Sequence, residues 1–533
     1  MRLDSLTSSS QFPEGAQAPG ADGARASARG GGEQRAALGL VVLIGAMLLV
    51  RLATLGSYPL MDTSEARYGE IARVMLTTGN WITPQEVPGT PFWAKPPLYA
   101  WLAAGSMRLL GVHEFALRLP SFLCALGVLA LCAGWSDSVA RARDAGARRM
   151  AVLLTLGVLS TSVLFFVAAG AVMTDPTLAL CVTWMLAAFH HCVIRSSREA
   201  LWRWGFFVAA GFGMLAKGPV ILLYAGAPIG LWTIWERRFA HLWRALPWVW
   251  GTVLSAAICV PWYAAAEERT PGFLQYFLLG EHVMRFLKPG WGGDLYGTAH
   301  AEPLGMIWLY LAGALGLGTV LLAAALVIFL RGGAHRAPGS IGAEQRFLLL
   351  ASFVPVVFFT FAGNIIWTYV LPALGPLCVF VADVLAPKLE AARRWRAVVF
   401  ATLCAAALSV SIAVVAWVPR HVARHSSAQL VEEWRERSQP LGATGEIVYV
   451  GRRAPASLRF YARGSVRTVE DLGAVLPAGA SAGEWFLALA PDRVEEVRRF
   501  AQAQPGAWTV QTIGSNTDLA LVEVLARPGA ATR

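Results

Sequence analysis

The sequence predicts an α-helical polytopic membrane protein that carries a small C-terminal α/β domain. Three observations support this. Only 15% of the 533 residues are charged and 56% are hydrophobic, whereas a soluble domain carries roughly 25% charged residues. Apolar runs long enough to cross about 30 Å of hydrocarbon recur along the chain; 38–55, 119–135, 151–169, 245–264 and 398–418 are examples. Beyond residue 420 the apolar runs give way to short alternating segments.

Taken in order, residues 1–36 are rich in Gly, Ala and Ser and read as a disordered cytoplasmic N-terminus. The run 38–55 is too long for the apolar core of a signal peptide and reads as a membrane anchor. Residues 37–419 form the membrane domain, with outer loops at 57–116 and 265–302. Most of the loop arginine and lysine falls in five short loops. They hold Arg141/Arg143/Arg148/Arg149, Arg195/Arg198/Arg203, Arg237/Arg238/Arg244, Arg331/Arg336/Arg346 and Lys388/Arg393/Arg394/Arg396. The positive-inside rule puts all five in the cytoplasm. Topology therefore accounts for the net charge of +11, and nucleic acid is not an expected partner. Between neighbouring basic loops the chain crosses twice, with breaks at 173–176, 217–219 and 363–364. The parity gives about 11 crossings, in a range of 11–13 transmembrane helices. Residues 97–110 read as an interfacial helix, and the C-terminal domain 420–533 lies outside. All seven cysteines fall in apolar runs and read as packing residues. In the C-terminal domain, strands are expected at 446–451, 465–469, 484–490 and 519–525, and helices at 456–462 and 492–504.

The same parity gathers Asp62, Lys95, Asp175, Lys217, Glu281, His282 and Asn364 on the outer face, although they come from six separate segments. Ionisable residues at span ends are costly and mark candidate sites. Each also has an ordinary reading. Asp62 can be an N-cap, with Glu65 completing a capping box; a carboxylate there can also take a proton or stabilise positive charge. Arg67 and Tyr68 follow on an amphipathic helix expected to lie on the membrane surface. Lys95, beside Pro96-Pro97, is a snorkelling lysine or a cation for a phosphate. Asp175-Pro176 is a good helix start, and its outer position leaves room for a role at a site. Lys217 is a cation on the side that positive-inside bias disfavours. Glu281 and Arg285 can pair across one helical turn, or Arg285 can clamp a phosphate. His282 is an interfacial histidine or a metal ligand. Tyr369 is a belt aromatic or a hydroxyl donor to phosphate.

Seven strings occur in order between about residues 58 and 372: DTSEARYGEIARVM, GNWITP, FWAKPPLYAW, TDPTLAL, LAKGP, PGFLQYF with EHVMRF, and NIIWTYVLP. Together they resemble the polytopic GT-C glycosyltransferases, in the branch of lipid A aminoarabinose transferases and protein O-mannosyltransferase-like proteins. The resemblance implies an inverting glycosyltransferase that takes its sugar from a polyprenyl-phosphate donor such as undecaprenyl phosphate. It implies a lipid or other envelope acceptor at the periplasmic side of a bacterial inner membrane. Asp62 and Asp175 look like the catalytic aspartates; Lys95, Arg285 and Tyr369, with Lys217, look like the phosphate-binding set. Glu65, Arg67, Tyr68, Glu281 and Asn364 would support them. A divalent metal on His282 is the one cofactor the resemblance raises. Two positions depart from the pattern. Ser64 stands where many relatives have the aspartate of an Asp-Glu pair, and Ala94 stands where metal-binding relatives have an acidic residue. The rival reading is a polytopic transporter or flippase of a lipid-linked or anionic substrate, which would place its ionisable residues near the bilayer midplane.

Overall fold

In hydrocarbon every backbone polar group must be satisfied within the segment, so apolar runs become helices. The computed structural model describes residues 21–62, 64–297, 300–334, 342–438, 445–476, 483–503 and 507–527. Among them, five helices are each long and apolar enough to cross a membrane: Glu114–Ala142, Asp175–Ile194, Trp248–Arg269, Trp367–Leu389 and Arg394–Arg424. Met306–Leu315 and Gly318–Arg331 together make a further candidate, bent by 109°. The remaining apolar segments form shorter or broken helices, such as Ala145–Thr161 followed by Val163–Ala168. The first helix runs back to Ala21, into the stretch expected to be disordered; residues 1–20 of that expectation lie outside the described residues.

Burial separates centre from rim. Buried residues make up 94% of the most apolar stretch of the Trp367–Leu389 helix, which forms the axis, but only 22% of that of Trp248–Arg269, which turns Val249, Trp250, Val253 and Val260 outward. At the centre Phe189 packs on Phe347 and Trp232, with ring centroids 4.8 and 5.3 Å apart.

Two polar layers cap the bundle. At one end Arg143 pairs with Asp383, Arg195 with Glu344 and Arg346 with Glu236, so the basic loops assigned to one side meet one another. At the opposite end Arg118, fully buried, donates to the carbonyls of Leu55, Tyr58 and Pro59 and to Glu65. Glu65 also accepts from the amides of Val172 (3.1 Å) and Met61 (3.2 Å). It closes the start of the Ser64–Thr78 helix as a capping residue, but onto Met61 rather than Asp62. The same buried pair ties the first outer loop to the break before Asp175.

The C-terminal region is a five-stranded sheet. A hairpin of β1 (Gln85–Val87) and β2 (Thr90–Pro91) lies in the first outer loop. The sheet itself comprises β3 (Ile447–Val450), β4 (Val466–Val469), β5 (Gly483–Leu489), β6 (Ala507–Ser515) and β7 (Ala520–Arg527), in the order β4-β3-β5-β7-β6. The β3 strand is parallel to β4 and β5, and β7 is antiparallel to β5 and β6. Period-two alternation gives the sheet two cores. Ile447, Phe486 and Leu521 face Leu430, Trp434 and Leu458; Val448, Leu487 and Val522 face Leu476 and Val497.

This domain packs against the end of the bundle opposite the basic loops. The Ala456–Tyr461 helix lies on Ser64–Thr78, where Phe460 and Ala456 join Leu60, Ala66 and Ile71 in one cluster. The Ser64–Thr78 helix was expected on the membrane surface. Instead Gly69, Glu70, Ile71, Ala72, Arg73 and Val74 are all buried, because the C-terminal domain covers its polar side.

Candidate functional site

A cavity of about 240 Å³ opens at the end of the bundle opposite the basic loops, lined by residues from four segments. Lys95 comes from the Lys-Pro-Pro turn, Lys217 from the end of the Ala200–Lys217 helix, Glu281 and Arg285 from the second outer loop, and Tyr369 from the break before the axial helix. Val220, Leu223, Phe286, Phe358 and Phe359 form apolar walls.

The local chain explains how each group arrives. Pro96 and Pro97 close the turn, and Pro97, already helical at φ −87° and ψ −9°, starts the Leu98–Leu110 helix. Trp93 straps this turn to the second outer loop: its amide donates to Tyr296 Oη (2.9 Å) and its indole to Thr270 Oγ1 (3.1 Å). Gly218 ends the preceding helix at φ +79°, where a Cβ would stand 2.5 Å from the Phe277 ring. Only glycine allows that close approach. Tyr276–Met284 winds as a π-helix, a rare geometry often found at functional sites. Asn364 pins the following turn by donating to the Arg285 and Lys288 carbonyls (2.5 and 2.6 Å) and accepting from Gly290 N (2.9 Å).

Glu281 is the centre of the charged cluster. Its carboxylate accepts from Lys95 Nζ (2.9 Å), Tyr276 Oη (3.1 Å) and Arg285 Nη1 (3.2 Å). Burial pushes this carboxyl up, but Lys95 and Arg285 outweigh burial and hold it below the ordinary glutamate value. Burial likewise opposes the charge on Lys95, and Glu281 reverses that, so its ammonium is stabilised. Asp294 stands 3.5 Å from Arg285, whose Nε is buried with no hydrogen-bond partner among the described residues. Lys217 pairs with Asp175 at 2.6 Å and lies 4.8 Å from the centre of the Tyr369 ring. Among the described residues that line the cavity there are three permanent cations and one carboxylate. Such a site accepts an anionic head on an apolar body.

Lys95, Lys217, Glu281, His282, Arg285, Asn364 and Tyr369 thus come together as expected residues, with Asp175 directly behind Lys217. Tyr68 stacks edge-on against Phe92 beside this wall, at 6.2 Å. Other expected residues do different work. The Asp62 carboxylate does not line the cavity. It accepts from both the amide (3.0 Å) and the hydroxyl of Ser457 in the C-terminal domain. Asp62 therefore stands apart from this cavity, with both oxygens accepting from Ser457 at the start of a helix 395 residues away. Arg67 turns to Glu86 (3.5 Å), which also holds Arg453 and Arg459. Glu65 holds Arg118, as above.

His282 does not suit a metal. Its ring nitrogens face the carbonyls of Phe277 (2.7 Å) and Lys217 (3.4 Å). No group of three or more His, Cys, Asp or Glu gathers to hold an ion among the described residues.

Sequence reasoning missed Tyr276, Glu86 and Ser457. Tyr276 had a signal, a tyrosine five residues before Glu281 in the same outer loop. Ser457 had none.

A helical bundle with a cationic cavity at one end and a small sheet domain packed on the Ser64–Thr78 helix is of the GT-C type of polytopic membrane protein. The fold is similar to the crystal structure of ArnT from Cupriavidus metallidurans bound to undecaprenyl phosphate. The TM-score is 0.70 at 18% identity, covering 91% of this chain and 97% of that one. Residues 38–277 match the model of the dolichyl-phosphate-mannose-protein mannosyltransferase family, and the chain belongs to this GT-C family. It is similar to proteins named undecaprenyl phosphate-alpha-4-amino-4-deoxy-L-arabinose arabinosyl transferase. The relative from Pseudomonas savastanoi pv. phaseolicola is 30% identical over 66% of this chain. The relative from Aeromonas salmonicida is 31% identical over 70%. The matched part spans 62% and 65% of those relatives' own lengths.

Proposed function

We propose that this protein transfers a sugar from an undecaprenyl-phosphate-type carrier to a lipid or other envelope acceptor. The proposed setting is the periplasmic side of a bacterial inner membrane. The observation that carries the reading is the convergence of Lys95, Lys217 and Arg285 with Tyr369 in one apolar-walled cavity. A lipid phosphate needs both parts: cations for the head and a greasy wall for the first prenyl units. The names of the relatives and the lipid in the ArnT structure support the same chemistry.

In this reading, an acceptor oxygen bonds to the anomeric carbon from the face opposite the phosphate as the carbon–oxygen bond to the phosphate breaks, inverting the centre; the electron pair leaves with the lipid phosphate, and a hydroxyl acceptor gives its proton to solvent. Negative charge grows on the departing phosphate. Lys95 and Arg285 meet that charge where it develops, so they bind the transition state more strongly than the ground state. Tyr369 donates a hydrogen bond, and Asp175 holds Lys217 in place. Asp62 anchors the C-terminal domain beside the acceptor's approach.

The test is reconstituted protein with a polyprenyl-phosphate sugar and envelope lipids, read by mass spectrometry. The expected result is free polyprenyl phosphate together with one acceptor class heavier by a sugar. Movement of the intact donor across the bilayer without loss of its sugar would favour a transporter instead.

A further inference from the structure

Among the described residues that line the cavity, Glu281 is the one carboxylate, and it already occupies the cations a phosphate needs. Lys95 and Arg285 both point at it, and Tyr276 completes its hydrogen bonds. A phosphate cannot engage these cations without displacing Glu281 or sharing them with it. The charges on the two lipids differ. A sugar phosphodiester carries one negative charge, whereas a phosphomonoester, with its second pKa near about 6, carries close to two at neutral pH. A fixed carboxylate therefore repels the product more than the donor.

We propose that Glu281 is a built-in competitor for the lipid phosphate, holding Lys95 and Arg285 between turnovers and speeding release of the spent carrier. This inference rests on the reading of Lys95 and Arg285 as phosphate ligands. Glu281 acts through those two cations, so it is a positioning residue. A site of cations alone would hold the doubly charged product tightly and stall. Glu281 lowers that affinity while leaving the donor, with its smaller charge, less affected.

The experiment measures binding of undecaprenyl phosphate to the full-length protein in nanodiscs, for wild type, Glu281→Gln, Glu281→Asp, Lys95→Gln and Arg285→Gln. Glu281→Gln is expected to bind the lipid phosphate about tenfold more tightly, the equivalent of one modest charge interaction. Its kcat should fall as product release becomes limiting, and its KM for the donor should fall with it. Glu281→Asp keeps the charge and should return affinity toward wild type. The rise in melting temperature on adding the lipid should be larger in Glu281→Gln than in wild type, a reading that holds even for a destabilised variant. If Lys95→Gln and Arg285→Gln weaken binding but Glu281→Gln weakens it too or leaves it unchanged, Glu281 is a structural brace and the proposal is wrong. If Lys95→Gln and Arg285→Gln leave binding intact, the phosphate reading fails and takes the proposal with it.

Discussion

Lys95 and Arg285 are separated by 190 positions, yet they share one carboxylate. In the proposed reaction, removing either takes a cation from the departing phosphate. Lys95→Gln and Arg285→Gln should each lower kcat/KM about 10²–10³-fold, the usual loss for one preorganised charge-stabilising group. Lys217→Gln should cost activity and also stability, since it leaves the Asp175 carboxylate buried at its helix start without its partner. Stopped transfer assays with melting curves on the same samples separate the two effects. The cluster also makes a pH prediction. The Glu281 carboxyl is held below its ordinary value by Lys95 and Arg285. Its contribution to stability is complete above the unfolded glutamate pKa and is lost as pH falls through the lower folded value. Melting temperature followed into acid should show that loss in wild type and a flatter acid limb in Glu281→Gln.

At the scale of elements, the site depends on how helices stop. Gly218 is the clearest case, because its backbone conformation and the Phe277 ring 2.5 Å from any Cβ both exclude a side chain. Gly218→Ala should destabilise the protein by roughly 1–3 kcal/mol and lower donor affinity by shifting Lys217 and the π-helix together. The breaks at 173–176, 217–219 and 363–364 were legible in the sequence, since Asp-Pro, Gly-Pro and Gly-Asn interrupt apolar runs. So were four of the five C-terminal strands, through period-two alternation. The Ala507–Ser515 strand was not, because the alternation of Trp508 and Val510 breaks before Ile513, where the pairing with β7 shifts register between Thr512 and Gly514. The Ala428–Ser438 helix, short and highly charged, also escaped notice. Long-range partners were the least legible. Nothing local in Asp62 points to Ser457, and nothing in Glu86 points to Arg453 and Arg459. These contacts decide whether a carboxylate is free for chemistry or committed to packing. Ser457→Ala should therefore raise hydrogen exchange in the Ala456–Tyr461 helix, and Asp62→Asn should do the same. A loss of turnover in Asp62→Asn with exchange unchanged would instead return that residue to the chemistry.

At the scale of the whole molecule, sorting by charge worked because each polar layer closes on itself. The arginine loops meet at one end, and Lys95, Lys217, Glu281 and Arg285 meet at the other. The proposed orientation is checked by single cysteines. Leu295 is 56% exposed in the second outer loop, and Arg198 is exposed in a basic loop. Leu295→Cys should react with an impermeant maleimide in intact, outer-membrane-permeabilised cells; Arg198→Cys should react only once the inner membrane is opened. The native cysteines give little background, since six of the seven are buried.

The central claim is that the outer cavity holds the phosphate of a lipid carrier. The most direct measurement is an experimental structure of the full chain in nanodiscs with undecaprenyl phosphate. The account predicts the headgroup within hydrogen-bonding distance of Lys95 and Arg285, and prenyl density along Val220, Leu223 and Phe358. A headgroup seated elsewhere, with the Lys95–Glu281–Arg285 cluster undisturbed at saturating lipid, would contradict it.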